Sequence, residues 1–129
     1  MSRMSKMIRA FRDLPMNVFF LCHTRDDKDE DTGAISVGPN LTPGVAGDAN
    51  AYVDAIFYLG VGKEGNRQIL TQPTRKYKAK HRVGYLPTVI EFDRGILCRA
   101  DVVTDMMLGK IKPIEKVTEE WLKEHKYKV

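Results

Sequence analysis

The amino-acid sequence predicts an α/β fold with a mostly parallel sheet, an antiparallel extension of that sheet and two C-terminal helices. Three observations carry this expectation. An amphipathic segment runs directly into a short apolar stretch at residues 17–22, and a second apolar stretch follows at 54–61. Beyond it, short β-rich stretches alternate with turn residues.

The first element is a helix over 2–13. Met4, Met7, Ile8 and Phe11 recur at three- and four-residue steps, Arg3, Lys6, Arg9 and Arg12 fall between them, and Pro15 ends the pattern. The stretch 17–22 is apolar and partly aromatic, which suits a strand buried on both faces; a helix feeding such a strand is half of a crossover unit. From 24 to 47 the composition turns charged and rich in Gly and Pro, with only 34–37 strand-like, so a long excursion from the strand's C-terminal end is expected. Residues 45–52 read as a weak helix and 54–61 as the next buried strand. Short strands at 67–71, 75–80 and 88–92 are separated by turn residues at Gly65, Asn66, Pro73, Gly84 and Pro87. Two helices close the chain at 102–108 and 118–126; Thr118 caps the second, with Glu119 and Glu120 in its first turn and Lys123 and Lys126 later, as the helix dipole favours.

The chain of 129 residues, 43% hydrophobic and 29% charged, suits one globular core. Its net charge of +4, from 21 cations and 17 anions, fits a nucleic-acid partner and is equally common among unrelated proteins. Cys22 and Cys98 are far apart and lack metal-ligand spacing, so two buried thiols are expected rather than a disulfide or a zinc site. Cations interrupt the N-terminal segment where a signal peptide would need an apolar run, and the longest apolar stretch, 18–22, is far shorter than a membrane span. A cytoplasmic protein is expected.

Four motifs bear on chemistry. Gly60-Val61-Gly62-Lys63-Glu64-Gly65 spells the dinucleotide fingerprint, but a strand-like stretch follows where a phosphate cradle requires a helix N-terminus, so a hairpin turn is expected. No Walker phosphate loop exists in the sequence: no Gly stands five residues before Gly62, and Glu64 follows Lys63. Asp27, Asp29 and Asp31 alternate as calcium ligands do, yet Thr32 and Gly38 stand where the pattern needs glycine and glutamate, which leaves a solvated acidic loop and no metal. His23, at the expected end of the first strand, is either a satisfied polar residue or a sensor of bound phosphate; His81 and His125 have no such placement. In the run from Arg75 to Arg82, five cations surround Tyr77, and strand alternation puts Lys76, Lys78, Lys80 and Arg82 on one face. Such a row contacts phosphates, or else charges an edge strand against aggregation.

Taken in order, residues 7–20, 23–33, Gly38-Pro39-Asn40-Leu41 and Tyr52-Val53-Asp54-Ala55-Ile56-Phe57-Tyr58-Leu59 resemble phage RecA-like P-loop ATPases. The resemblance continues through Leu70-Thr71-Gln72-Pro73 and Lys80-His81-Arg82 to Leu86-Pro87, about three-quarters of the chain. It implies the second half of a RecA-like P-loop NTPase core, with 1–62 as the sheet-helix portion, 63–95 as the antiparallel hairpin extension and 96–129 as the terminal helices. It also implies a role in DNA recombination or replication. His23, Lys80 and Arg82 are the implied catalytic residues, and Lys80 and Arg82 match a Lys-x-Arg pair that reaches across a subunit interface to the phosphates of a neighbour's ATP. Residues 24–47 correspond to the region that approaches single-stranded DNA, with Arg25, Lys28, Arg75, Lys76, Tyr77 and Lys78 as the expected nucleic-acid contacts.

Family members carry a phosphate loop and a Walker B aspartate upstream of these segments, and this sequence contains neither. ATP and Mg2+ are therefore expected only where another chain supplies an N-terminal half, through a split gene, and the chain is expected to be inactive alone. A misplaced start site, or a remnant retained for binding, would account for the same absence. Expected partners are single-stranded DNA and that missing half or like subunits, with no membrane. Without partner layers, the apolar faces of 18–22 and 54–61 are expected to be exposed. The alternative is a non-catalytic single-stranded nucleic-acid-binding or oligomerisation module.

Overall fold

The computed structural model describes residues 2–62 and 64–128. Among them the chain forms, in order, α1 (Arg3–Arg12), β1 (Thr24–Lys28), β2 (Ile35–Pro39), α2 (Pro43–Tyr52), β3 (Ala55–Ile56), β4 (Tyr58–Val61), β5 (Arg67–Leu70), β6 (Lys80–His81), β7 (Val89–Phe92), α3 (Ala100–Met107), β8 (Lys116–Val117) and α4 (Glu119–Glu124). No helix among these residues is long and apolar enough to cross a membrane.

Helices α1 and α4 start at capping hydroxyls. The Ser2 hydroxyl accepts the Ser5 amide at 3.1 Å, and the Thr118 hydroxyl accepts the Trp121 amide at 3.1 Å, each satisfying an amide that the first turn leaves without a partner. Helix α2 starts at Pro43, whose fixed φ and missing N–H suit a first helical position. Helices α1 and α2 pack together, and the buried Ser5 hydroxyl donates to the Asp48 carboxylate at 2.7 Å across their contact. The Arg12 guanidinium lies 5.3 Å over the Tyr52 ring at the same interface.

Strands β1 and β2 make an antiparallel ribbon whose tip is set by Asp29 and Gly33. The Asp29 carboxylate accepts the Asp31 and Thr32 amides, and Gly33 supplies the left-handed φ of 73° that brings the chain back.

The core lies in the sheet β4-β5-β7-β8 and the helices that pack on it. Alternation places Ile90 and Phe92 of β7 on one face, where both are fully buried among Ile69, Val102, Val103, Met106, Val117 and Leu122. Burial of each large side chain contributes about 1.5–3 kcal/mol. Register aligns Leu59, Ile69 and Ile90 in one row across three strands. Helices α3 and α4 contribute to the cluster around the inner part of the row, and Leu59 at its outer end is left exposed.

Several expectations are corrected. Residues 17–22 form no strand: their backbone groups make no hydrogen bond with other described backbone groups, Phe19 is exposed and Leu21 is 92% exposed. An apolar run becomes a strand only when a neighbour takes up its N–H and C=O groups, and here Phe20 instead rests edge-on against Phe11, with centroids 6.0 Å apart. The stretch 54–61 breaks at Phe57 into β3 and β4, and both pair antiparallel. Among the strand pairs of the described residues only β7 with β8, which the sequence did not signal, is parallel, so the sheets are mainly antiparallel rather than mostly parallel. Residues 24–28, read as loop, pair because the ribbon satisfies their backbone locally. Residues 75–80 shrink to a single bridge, Tyr77 to Val37, and the start of β6. Cys22 is exposed and Cys98 half-buried, the latter with its thiol pushed above its ordinary value by burial.

Candidate functional site

The ribbon, helix α2 and the segment 73–79 enclose a cleft of about 490 Å³. Helix α2 lines it with Pro43, Ala46, Gly47 and Asn50, spaced at three- and four-residue turns, so one face of small side chains forms a wall. Arg25 and Asp27 share a face of β1 and hold each other at 3.2 Å at the cleft. Lys78 reaches the same cleft from the other side. The Val37 amide donates to the Lys76 carbonyl at 2.7 Å and the Lys78 amide to the Val37 carbonyl at 2.8 Å, stitching segment 76–78 beside β2. Gly38 then permits close passage of the Lys78 stem: a Cβ at Gly38 would stand 3.0 Å from Lys78 Cδ.

Lys80 and Arg82 converge on the C-terminal end of α2. Lys80 Nζ donates to the Asn50 carbonyl, Arg82 Nη2 donates to the Ala51 carbonyl at 2.6 Å, and Arg82 Nη1 lies 3.4 Å from the Asp54 carboxylate. The last carbonyls of a helix lack intrahelical donors and carry partial negative charge, which two cations offset. Burial pushes the Lys80 ammonium below its ordinary value, the nearby Arg82 charge adds to this, and Asp54 opposes it.

The structure thus divides the expected cationic row. Lys78 lines the cleft with Arg25, and Lys80 and Arg82 clamp α2, while Arg75 and Lys76 are not among the cleft-lining residues. Tyr77 stacks on Tyr58 at 4.3 Å and carries Lys76 Nζ at 5.5 Å from its ring. Burial raises the Tyr58 phenol above its ordinary value, and Tyr77 adds to the shift. His23 and Lys28 are both exposed. His23 directly precedes β1, its carbonyl accepting the Asn40 amide at 2.8 Å, and is not at the end of a strand because 17–22 forms none.

The glycine fingerprint is a hairpin turn between β4 and β5, with Lys63 outside the described residues. The Gly62 amide donates to the Asn66 carbonyl at 2.8 Å, and a Cβ at Gly62 would stand 2.7 Å from the Gln68 amide nitrogen. No helix follows it, so these residues do not fit a nucleotide phosphate as a cradle does. Among the described residues no group of three or more His, Cys, Asp or Glu side chains could hold a metal ion. The Asn50 and Ala51 carbonyls and Asp54, which hold the Lys80 and Arg82 pair, were not among the expected site residues. The small residues of Pro43-Gly44-Val45-Ala46-Gly47 are the sequence signal for the cleft wall, and their composition reads as loop.

No curated protein and no solved structure matches the chain. A family model described as "AAA domain" matches residues 1–83, from α1 through the Lys80 and Arg82 pair. With 83 of its 129 residues matched, over the ribbon, the cleft and the clamp on α2, the chain belongs to the AAA domain family of nucleotide-binding, ATPase-like proteins.

Proposed function

We propose that the chain is the C-terminal half of a RecA-like ATPase of the phage type, serving DNA recombination or replication by engaging single-stranded DNA in the cleft between the ribbon and α2. One observation carries the reading: Arg25 and Lys78, distant in sequence, meet at a cleft whose α2 wall is small enough for close approach. Both offer charge-assisted hydrogen bonds to phosphate oxygens, and Asp27 holds Arg25 in place. Lys80 and Arg82, with His23, are the proposed contacts to phosphates of ATP held on another chain. A phosphate reaching that pair takes the place of the Asn50 and Ala51 carbonyls as acceptor.

The test is binding of labelled single-stranded DNA, read by anisotropy, from about 50 mM to about 200 mM salt. Binding should weaken with salt, and the double variant Arg25→Ala/Lys78→Ala should flatten the logarithmic slope by about 1.4, roughly 0.7 for each single-strand phosphate that the variant no longer neutralises. Absence of salt-sensitive binding, or a slope untouched by the double variant, overturns the reading. A second reading makes Lys80 and Arg82 a purely structural clamp, and the 2.6 Å bond from Arg82 to Ala51 favours it. It is excluded if Arg82→Ala keeps the fold yet loses stimulation of a phosphate-loop-bearing subunit's ATPase.

A further inference from the structure

We infer that a groove outside the family-matched region, between segment 110–114 and α4, binds a base and its flanking phosphates of single-stranded nucleic acid. This site is separate from the Arg25 and Lys78 cleft and does not depend on it. Ile111, Pro113 and Ile114 line the groove with Trp121 and His125, and Lys110 and Lys112 line it as well, for a volume of about 480 Å³. Small-molecule pockets span roughly 300–1,000 Å³.

The aromatic side is built and held. The rings of Trp121 and His125 stack at 4.1 Å and 21°, and Tyr127 lies parallel to Trp121 at 5.7 Å and 14°. His125 Nδ1 donates to the Trp121 carbonyl at 2.9 Å, since a carbonyl oxygen can only accept, and this fixes the imidazole plane. The Tyr127 hydroxyl donates to the Asp105 carboxylate at 2.5 Å, and the buried Leu122 ties α4 into the core between these rings. The rings therefore need little ordering on binding, which removes an entropic cost.

Charge selects the occupant. Two lysines and no carboxylate line the groove, and on α4 Glu119 is taken up by Lys123 at 3.2 Å. An aromatic platform beside ammonium groups matches a base with its phosphates, because every base offers a π-face and the phosphates meet the cations. An acidic peptide would use the lysines and leave the stacked rings without a planar partner.

Trp121 is the chain's single tryptophan, so the groove carries its own reporter. Titration of the full chain with an unlabelled oligothymidylate of about 12 nucleotides should quench Trp121 emission in step with binding. The exposed pair Lys110→Glu/Lys112→Glu should abolish the quenching while circular dichroism stays unchanged, and His125→Ala should lower the affinity read by quenching roughly tenfold, as for one stacked base removed. The quenching should persist in Arg25→Ala/Lys78→Ala, which separates this site from the cleft. Oligonucleotide binding seen by anisotropy without a change in Trp121 emission overturns the inference and leaves the cleft reading intact. Quenching that ignores the lysine reversal, or that oligoglutamate reproduces equally, also overturns it.

Discussion

Arg82 donates from Nη2 to the carbonyl of Ala51 at 2.6 Å, joining the chain beyond β6 to the last turn of α2. The bond satisfies a helix-end carbonyl and fixes where Lys80, two residues earlier, meets Asn50. Because the Arg82 side chain is about half exposed, its net worth is set by hydrogen bonding screened by solvent. Arg82→Ala is expected to lower stability by about 1 kcal/mol, read by urea denaturation, with Arg82→Lys recovering part of it.

Phe92 is the largest fully buried side chain and sits in register with Val117 and Arg67. Phe92→Ala should cost about 3–5 kcal/mol, and Ile90→Val beside it about 0.5–1.5 kcal/mol. Thermal unfolding of the two variants should show this order; equal shifts would place the main core elsewhere.

Tyr127 titrates late. Burial first, and the Asp105 carboxylate next, push its phenol from 10.0 up to about 12. The unfolded chain releases this proton near the ordinary value while the folded chain still holds it, so the contribution is complete below pH ~10 and is lost as pH rises towards ~12. Absorbance at the phenolate band should show a late-titrating tyrosine that disappears in Tyr127→Phe, and that variant should lose less stability on alkalinisation. Asp101 behaves oppositely: its hydrogen bond from Arg99 holds the carboxyl below its ordinary value, so that contribution is present above the unfolded value and fades as pH falls through the folded one.

Leu59 and Val61 expose an apolar row on the outer strand β4, and Leu21, which belongs to neither helix nor sheet, is exposed as well. Surface of this kind associates. Leu59→Lys/Val61→Lys should reduce concentration-dependent scattering while changing stability by no more than about 0.5 kcal/mol. A large loss of stability instead would mean that the row is covered in solution.

Local signals were legible in the sequence. The three- and four-residue spacing from Met4 to Phe11, the cap at Thr118, and the turn glycines between β4 and β5 act through neighbours a few residues away, so helices α1 and α4 and the hairpin form close to where the pattern puts them. The broad AAA, P-loop-like family was legible too, in an ordered series of segments that lies mostly within residues 1–83. Strand formation and side-chain partnership depend on residues far along the chain. Only the tertiary structure decided that 17–22 lacks a pairing neighbour, that β3 pairs antiparallel with the distant β6, and that the cationic row divides between a cleft with Arg25 and the end of α2. The physical reason is that a strand needs another backbone to take its hydrogen bonds and a cation needs a specific acceptor, and composition specifies neither.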